Sequence, residues 1–440
     1  MYRLYSLLFS LGLVLTAPYY LRRGKSRIKS TGWRERFGRL PSSFRQHMQS
    51  SIWVHAVSVG ETMAVVGLVR ELQRRYPERR IFLSHVTPTG REVGEKRLPD
   101  VAGRFYLPFD WVWTVRRVME QIRPSLLLIV ETELWPNVLR VSHDFGCRSV
   151  LVNARLSDKS YRGYRVIRPF MRRVLENVDW IGAQTAADAE RFRALGAFPE
   201  RVSVTGNLKF DGQAPALGDF GIKIREALKA QNRRPVFVAA STMPGEEPLV
   251  LQAWQAIREK YSQALMILAP RHPARFEDVA ELMRAGGRNI MRRSALRQNG
   301  EEMRLQLVSA EILLLDTIGE LEELFGLADV VFVGGSLVPT GGHNLLEPAL
   351  WRKPIVFGPS MTNFRDIAAL FLDADAAIQV ADAAELGQQA LRLFDNPEKA
   401  RTLGENSRRV VEEQAGATLR VLNRVEEWLG APSAAATPVS

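Results

Sequence analysis

The chain has 440 residues, 46% of them hydrophobic, which is long enough for two domains with separate cores. Its one cysteine, Cys147, excludes an intramolecular disulfide and a cysteine-cluster metal site, and suits a reducing cytoplasm. With 60 Lys and Arg against 48 Asp and Glu, the net charge is +12, so an anionic partner is required: nucleic acid, anionic lipid or a phosphorylated substrate.

From Leu4 to Leu21 no residue is charged. Pro18 limits the usable helix to roughly 14–16 residues, short of the ~20 that span a bilayer comfortably. Basic residues follow it: Arg22, Arg23, Lys25, Arg27 and Lys29, then Arg34, Arg36, Arg39 and Arg45, with Glu35 the only acid among the first fifty positions. That order predicts an uncleaved anchor helix with its C-terminal flank in the cytoplasm, held by anionic lipid. A first helix packed on the N-terminal domain is the competing expectation, and the two are compatible.

Strand runs then alternate with helical stretches: Ile52–Val57, Ile81–His85, Leu126–Val130, Ser149–Val152, Trp180–Ala183 and Val202–Thr205. Alternation of this kind implies a parallel sheet covered by helices on both faces, with ligands beyond the carboxyl ends of the strands. The residues at those ends are polar: Ser58 to Glu61, Glu131 to Asn137, Asn153 to Arg155, and Gly206 to Asp211, which includes Lys209. Glu61 opens a helix, where the dipole favours the ionised form. A base for a hydroxyl acceptor and a structural acid in a first turn are both open readings of it. Glu131 and Glu133, beside Trp135 and Pro136, are an odd choice for helix caps.

Small, turn-forming residues at Ala214–Gly221 suit a linker, after which the alternation restarts at Val236–Ala240, Leu265–Leu268, Ile312–Leu315, Val330–Val333, Ile355–Phe357 and Ala377–Val380. Arg271 is held between prolines in Pro270–Pro273, with His272 beside it, and offers a forked donor to phosphate or carboxylate. Asp316–Glu320 ends another strand. Asp373-Ala374-Asp375 matches a metal-binding Asp-x-Asp pattern but lies far from any strand-end motif, and reads as a solvated turn.

The most informative stretch is Phe332–Pro359. A buried strand leads into Gly334, Gly335 and Ser336, then Gly341 and Gly342, then His343 and Asn344 opening a helix that carries Glu347. Glycine lets backbone approach a ligand, and free N–H groups at a helix start favour an anion, so Gly335 and Ser336 are expected to meet a phosphate and Glu347 a ribose.

This stretch, together with Ser58–Glu61, Thr87–Gly90, Glu131–Asn137, Asn153–Leu156, Gly206–Asp211, Pro270–Pro273 and Asp316–Glu320, resembles the Kdo (3-deoxy-D-manno-octulosonic acid) transferases in sequence and order. The resemblance implies a GT-B α/β fold, with two doubly wound Rossmann-like domains facing a cleft. Residues 1–21 form the membrane-associated helix, 22–212 the acceptor-binding domain, 213–222 the linker, 223–429 the CMP-Kdo-binding domain, and 430–440 a disordered tail. It implies transfer of Kdo from CMP-Kdo to the tetraacyldisaccharide 1,4'-bisphosphate precursor of lipid A. The displacement would be inverting and metal-independent, without a cofactor, at the cytoplasmic face of the inner membrane. Carried over residue by residue, Glu61 is the general base, and Glu131 and Lys209 stabilise the transition state. CMP contacts Pro270, Arg271 and His272, then Ile318, Gly319 and Glu320, then Asn344, Leu345, Leu346 and Glu347, along with Gly335 and Ser336.

The alternative enzyme is a GT-B transferase using another nucleotide sugar, such as a UDP-hexosamine, on a lipid-linked acceptor. A basic nucleic-acid-binding protein is disfavoured, because the basic cluster lies beside an apolar helix and no recognition element accompanies it.

Overall fold

The computed structural model describes residues 1–22, 32–48, 50–212, 216–230, 235–297 and 300–430. The chain divides into two units, one of Met1–Asp211 with the chain from Gln414 onward, the other of Gly212–Glu413.

Unit one is a parallel seven-stranded sheet in the order β3-β2-β1-β4-β5-β6-β7. Its strands are β1 (Ser51–His55), β2 (Ile81–His85), β3 (Gly103–Tyr106), β4 (Pro124–Val130), β5 (Arg148–Ala154), β6 (Trp180–Ala183) and β7 (Val202–Val204). The central strands are near-continuous apolar runs, as expected for strands buried on both faces. Alternate side chains supply two cores. Trp53, Leu127, Ile129 and Leu151 pack on one face, and Ile52, Val54, Leu126, Leu128 and Val150 on the other.

Unit two repeats the plan, with a parallel sheet in the order β10-β11-β9-β8-β12-β13-β14. Here β8 is Val236–Thr242, β9 Leu265–Pro270, β10 Ile290–Arg292, β11 Ile312–Leu314, β12 Val330–Val333, β13 Ile355–Phe357 and β14 Ile378–Gln379. Each sheet starts at a central strand and winds outward in both directions. The order reverses between β1 and β4 in the first and between β8 and β12 in the second, and such switch points are where doubly wound sheets hold ligands.

The helices used below are α1 (Tyr2–Arg22), α2 (Val59–Arg75), α3 (Pro136–Asp144), α4 (Asp219–Ala230), α5 (Glu247–Lys260), α6 (Leu346–Leu350) and α7 (Ala417–Leu429). Three boundaries differ from expectation. The C-terminal domain does not extend to residue 429. Instead, α7 buries Val421, Leu422, Val425 and Leu429 against Ile52, Val54, Leu68 and Val69 of unit one. Each such side chain is worth about 1.5–3 kcal/mol of burial. Asp211 fixes the return by accepting the N–H groups of Gly416 at 2.6 Å and Ala417 at 3.2 Å at the start of α7. The expected linker at 213–222 is likewise shorter. Gly218 donates to Glu323 Oε2 at 2.8 Å, and α4 begins at Asp219, so this part of the chain already belongs to unit two. Finally, α6 begins at Leu346, two residues beyond Asn344, and has only five residues.

The α1 helix runs through Pro18. Among the described residues no helix is long and apolar enough to cross a membrane. One face of α1 packs on unit one: Tyr5 donates to Asp110 Oδ2 at 2.8 Å, Ser6 Oγ accepts from Asn137 at 3.0 Å, and Ser10 Oγ accepts from Trp111 at 2.9 Å. The expected basic cluster from Arg23 to Lys29 and the tail from residue 431 lie outside the described residues.

Candidate active site

In unit one the loops after β1 and β4 flank the switch point. After β1, Ser58 caps α2, and Glu61 turns back so that its Oε2 accepts Val57 N–H at 2.7 Å and its Oε1 accepts the Ser58 hydroxyl at 3.0 Å. Thr87 braces the same loop, because its hydroxyl and N–H both reach Val57 O, at 3.0 and 3.1 Å. Glu61 is 8% exposed. Burial raises its pKa to about 7, and the charges of Glu131 and Glu133 add to the rise, against the two hydrogen bonds that lower it. The helix dipole was expected to keep Glu61 readily ionised. Burial and the neighbouring carboxylates outweigh it, leaving a carboxyl group poised to exchange a proton near neutrality.

After β4, Glu131 adopts φ +60, a left-handed conformation that a residue with a Cβ rarely takes. Such strain costs on the order of 1–3 kcal/mol and clusters at functional sites. Lys209 Nζ lies 3.9 Å from Glu131 Oε1. The lysine loop is held by Asn153, itself at φ +54, whose Oδ1 accepts Leu208 N–H at 2.9 Å. Glu61, Glu131 and Lys209 thus belong to one polar rim of unit one, with Glu133, whose pKa is raised by burial and by Glu131.

In unit two the expected donor contacts come from the carboxyl ends of β9, β11 and β12. Arg271 and His272 are exposed just after β9. His343 is close enough to both for their charges to help burial in lowering its pKa to about 4, so it is neutral. Its Nε2 has no partner among the described residues. Ile318 is exposed and Gly319 takes φ +97, while both oxygens of Glu320 are engaged, one by Arg293 at 2.6 Å and the other by the Thr317 hydroxyl. Asn344 links Leu346 N–H, at 3.1 Å, to Glu347 Oε1, also at 3.1 Å.

Gly335 and Ser336 depart from expectation. Their N–H groups are not open to a phosphate but donate to Glu246 at 2.6 and 3.0 Å. Gly335 has φ +68, and a Cβ there would lie 3.0 Å from His343, so glycine shapes this loop even though its N–H is taken. Ser336 Oγ accepts Gly358 N–H at 2.8 Å.

Of the residues that shape this region, Arg275 carries no signal in the sequence, while Glu246, Glu247 and His343 are visible there only as residues that open helices. The signal available was two adjacent acids, Glu246-Glu247, after a strand-end turn, which also describes an ordinary helix start. Asp373-Ala374-Asp375 lies at the end of a helix, with Asp375 in a left-handed turn.

Residues 31–212 match the 3-Deoxy-D-manno-octulosonic-acid transferase (kdotransferase) family. The 3-deoxy-D-manno-octulosonic acid transferase of Bordetella pertussis is 36% identical over 404 residues, covering 90% of this chain and 91% of its own. That of Haemophilus influenzae is 33% identical over 381 residues, 86% of this chain and 87% of its own. Among solved structures, a glycosyltransferase from Rickettsia africae ESF-5 superposes with a TM-score of 0.53 over 87% of this chain and 100% of its own, at 13% identity, a likeness of fold alone. Two doubly wound parallel sheets with GT-B-like glycosyltransferase neighbours, and sequence identity of this extent, lead to one conclusion: the chain belongs to the Kdo transferase family.

Proposed function

We propose that this Kdo transferase takes Kdo from CMP-Kdo and adds it to the tetraacyldisaccharide 1,4'-bisphosphate precursor of lipid A, with inversion and without a metal, and that Glu61 is the base. An acceptor hydroxyl oxygen forms the new bond to the anomeric carbon of Kdo, the bond from that carbon to the CMP phosphate breaks, and the hydroxyl proton passes to Glu61. The observation that carries this reading is the buried carboxyl group of Glu61, held by Val57 N–H and the Ser58 hydroxyl at the switch point of unit one, where burial raises its pKa. A carboxylate with a pKa near 7 is matched to accepting a proton at neutral pH. Lys209 and Glu131 act on the charge that develops during transfer. On the donor side, Arg271 and His272 meet phosphate and carboxylate, and Asn344 and Glu347 the nucleoside.

The acceptor is a lipid, and α1 suits a protein that works at a membrane surface. Its outward stripe of Leu4, Leu7, Leu8, Leu11, Val14 and Leu15 is 53–70% exposed. Trp111, against which Phe9 of α1 packs, stacks on Phe37 and Trp113, and these two with Trp33, Arg34, Arg39 and Arg117 line a cavity of about 340 Å³, a mixture of aromatic and basic side chains typical of the lipid headgroup region. We place the protein at the cytoplasmic face of the inner membrane.

The test is mass spectrometry of the lipid after incubating detergent-solubilised protein with CMP-Kdo and the tetraacyl precursor. Addition of one or more Kdo units is expected. An unmodified lipid beside intact, bound CMP-Kdo would rule out this acceptor, and competition by UDP in place of CMP would favour another nucleotide sugar.

A further inference from the structure

Two consecutive residues at the start of α5 grip two different loops of unit two. Glu246 is fully buried, and its carboxylate accepts four backbone N–H groups: Oε2 takes Gly335 at 2.6 Å and Met243 at 3.1 Å, while Oε1 takes Ser336 at 3.0 Å and Leu337 at 2.9 Å. Gly334 packs so close that a Cβ there would lie 2.8 Å from Glu246 Oε2 and from the carbonyls of Ala240 and Ser241. Glu247, also buried, turns the other way. Its Oε1 accepts the Thr242 hydroxyl at 2.9 Å and Arg275 Nη1 at 2.8 Å, and its Oε2 accepts Arg275 Nη2 at 2.8 Å.

Neighbouring residues on a helix point about 100° apart, so one helix end reaches both sides of β8. Glu246 reaches the glycine loop after β12, and Glu247 reaches Arg275, four residues beyond Arg271. Taking a carboxylate out of water is expensive. Four converging N–H dipoles and a two-toothed arginine pair offset that cost only while both loops hold their present shape.

We propose that Glu246 and Glu247 are the positioning residues of the donor site. Glu246 sets the Gly335–Leu337 loop against which His343 sits, and Glu247, through Arg275, sets the segment carrying Arg271 and His272. Neither carboxylate touches the donor, since both are filled by protein donors. The proposal rests on unit two being the donor-binding unit.

Glu246→Gln keeps the shape but replaces one acceptor oxygen with an NH2 group, which faces two N–H groups it cannot accept. A loss of CMP binding by at least ~10-fold, read by titration calorimetry, is expected in a variant whose circular dichroism matches the parent, with the KM for the lipid acceptor within twofold. Glu247→Gln, which keeps the Thr242 bond and loses the charge paired with Arg275, is expected to weaken CMP in the same selective way. Should Glu246→Gln fail to fold, Glu246→Asp, which keeps the charge and shortens its reach, carries the same expectation. Folded variants that bind CMP as the parent does would overturn the positioning role. A parent protein that binds no CMP would overturn the donor-site reading instead, so the two failures are told apart.

Discussion

Lys209 Nζ stands 3.9 Å from Glu131 Oε1, with each side chain 31% exposed. At that separation and exposure the pair is a loose one, worth about 0–1 kcal/mol to the fold. Yet the loop carrying Lys209 is held at Leu208 by Asn153, a buried asparagine in a strained conformation, and Glu131 is itself strained. Strain on both loops for so small a gain in stability supports the proposed role of the pair in transfer.

Lys209→Met should therefore leave the fold nearly as stable, within about 1 kcal/mol in urea unfolding, while lowering transfer by at least ~10²-fold. Turnover close to the parent's would remove Lys209 from the reaction. A large loss of stability would make it a structural residue.

The pH dependence of Glu61 carries opposite signs for activity and stability. Its folded pKa, about 7, lies above the ordinary carboxylate value of 4.5, so the folded state binds this proton more tightly than the unfolded one. The stability that protonation supplies is full below pH 4.5 and is lost as pH rises through about 7. Transfer behaves the other way, rising through the same window as the base ionises. Glu61→Gln should flatten the pH–rate profile and cost at least ~10²-fold in rate. It should also melt higher than the parent at pH 8, with the advantage shrinking toward pH 4. A parent rate that falls between pH 6 and 8 would contradict the base assignment.

Asp110 ties α1 to the loop after β4. Besides the Tyr5 hydroxyl, it accepts the N–H groups of Asn137 at 3.1 Å and Val138 at 2.8 Å, at the start of α3. Burial raises its pKa to about 6, and these three donors oppose the rise. Tyr5→Phe removes one hydrogen bond to an ionised group, worth about 1.5–3 kcal/mol. Hydrogen exchange in α1 should accelerate accordingly at pH 7.5 and by much less at pH 5, where the carboxyl group is largely protonated. Equal protection of α1 in parent and variant at pH 7.5 would show that the helix is held by its aromatic contacts and the Ser6 and Ser10 hydrogen bonds, without help from Tyr5.

Much of the fold was legible because the strands are buried on both faces. Runs such as Ile81–His85, Trp180–Ala183, Val330–Val333 and Ile355–Phe357 stand out without any alternation to decode, and their observed bounds are those expected. The edge strands β3 and β10 were not seen, since Gly103-Arg104 and Arg292 interrupt the apolar signal at the periphery, where fewer apolar residues are needed. The placement of α7 was out of reach for another reason. An amphipathic helix shows that it has a buried face but not which sheet buries it, and the core of unit one and the cap from Asp211, more than 200 residues away, make that choice in three dimensions. The donor loop misled in a similar way. Glycines after a strand announce free N–H groups, and nothing local reveals that a glutamate some 90 residues upstream already occupies them. The raised pKa of Glu61 needed the third dimension too, because it comes chiefly from burial and then from two acids that follow a different strand.

The last prediction concerns the stripe on α1. Tyr2, Tyr5 and Phe9 use Phe170 and Trp111 as their packing partners, with ring centroids 5.6–6.0 Å apart, so the inner face of the helix is satisfied by protein. The six aliphatic residues of the outer face have no comparable partner among the described residues, and burying such a side chain is worth about 1.5–3 kcal/mol. Six of them give on the order of 10 kcal/mol of gross attraction to a lipid interior, enough to exceed the cost of confining the protein at a surface. Arg34, Arg39 and Arg117 each add about 1 kcal/mol at an anionic surface. Partition into phosphatidylglycerol vesicles should therefore be strong and only partly reversed by salt, because the apolar share is indifferent to ionic strength. Leu7→Glu with Leu11→Glu should lower it by at least ~10²-fold, while Arg34→Ala with Arg117→Ala should remove the salt-dependent part and leave the remainder. If the double glutamate variant floats with vesicles as the parent does, the stripe faces something other than lipid. If the arginine variant alone abolishes flotation, charge and not the helix is what holds the protein at the membrane.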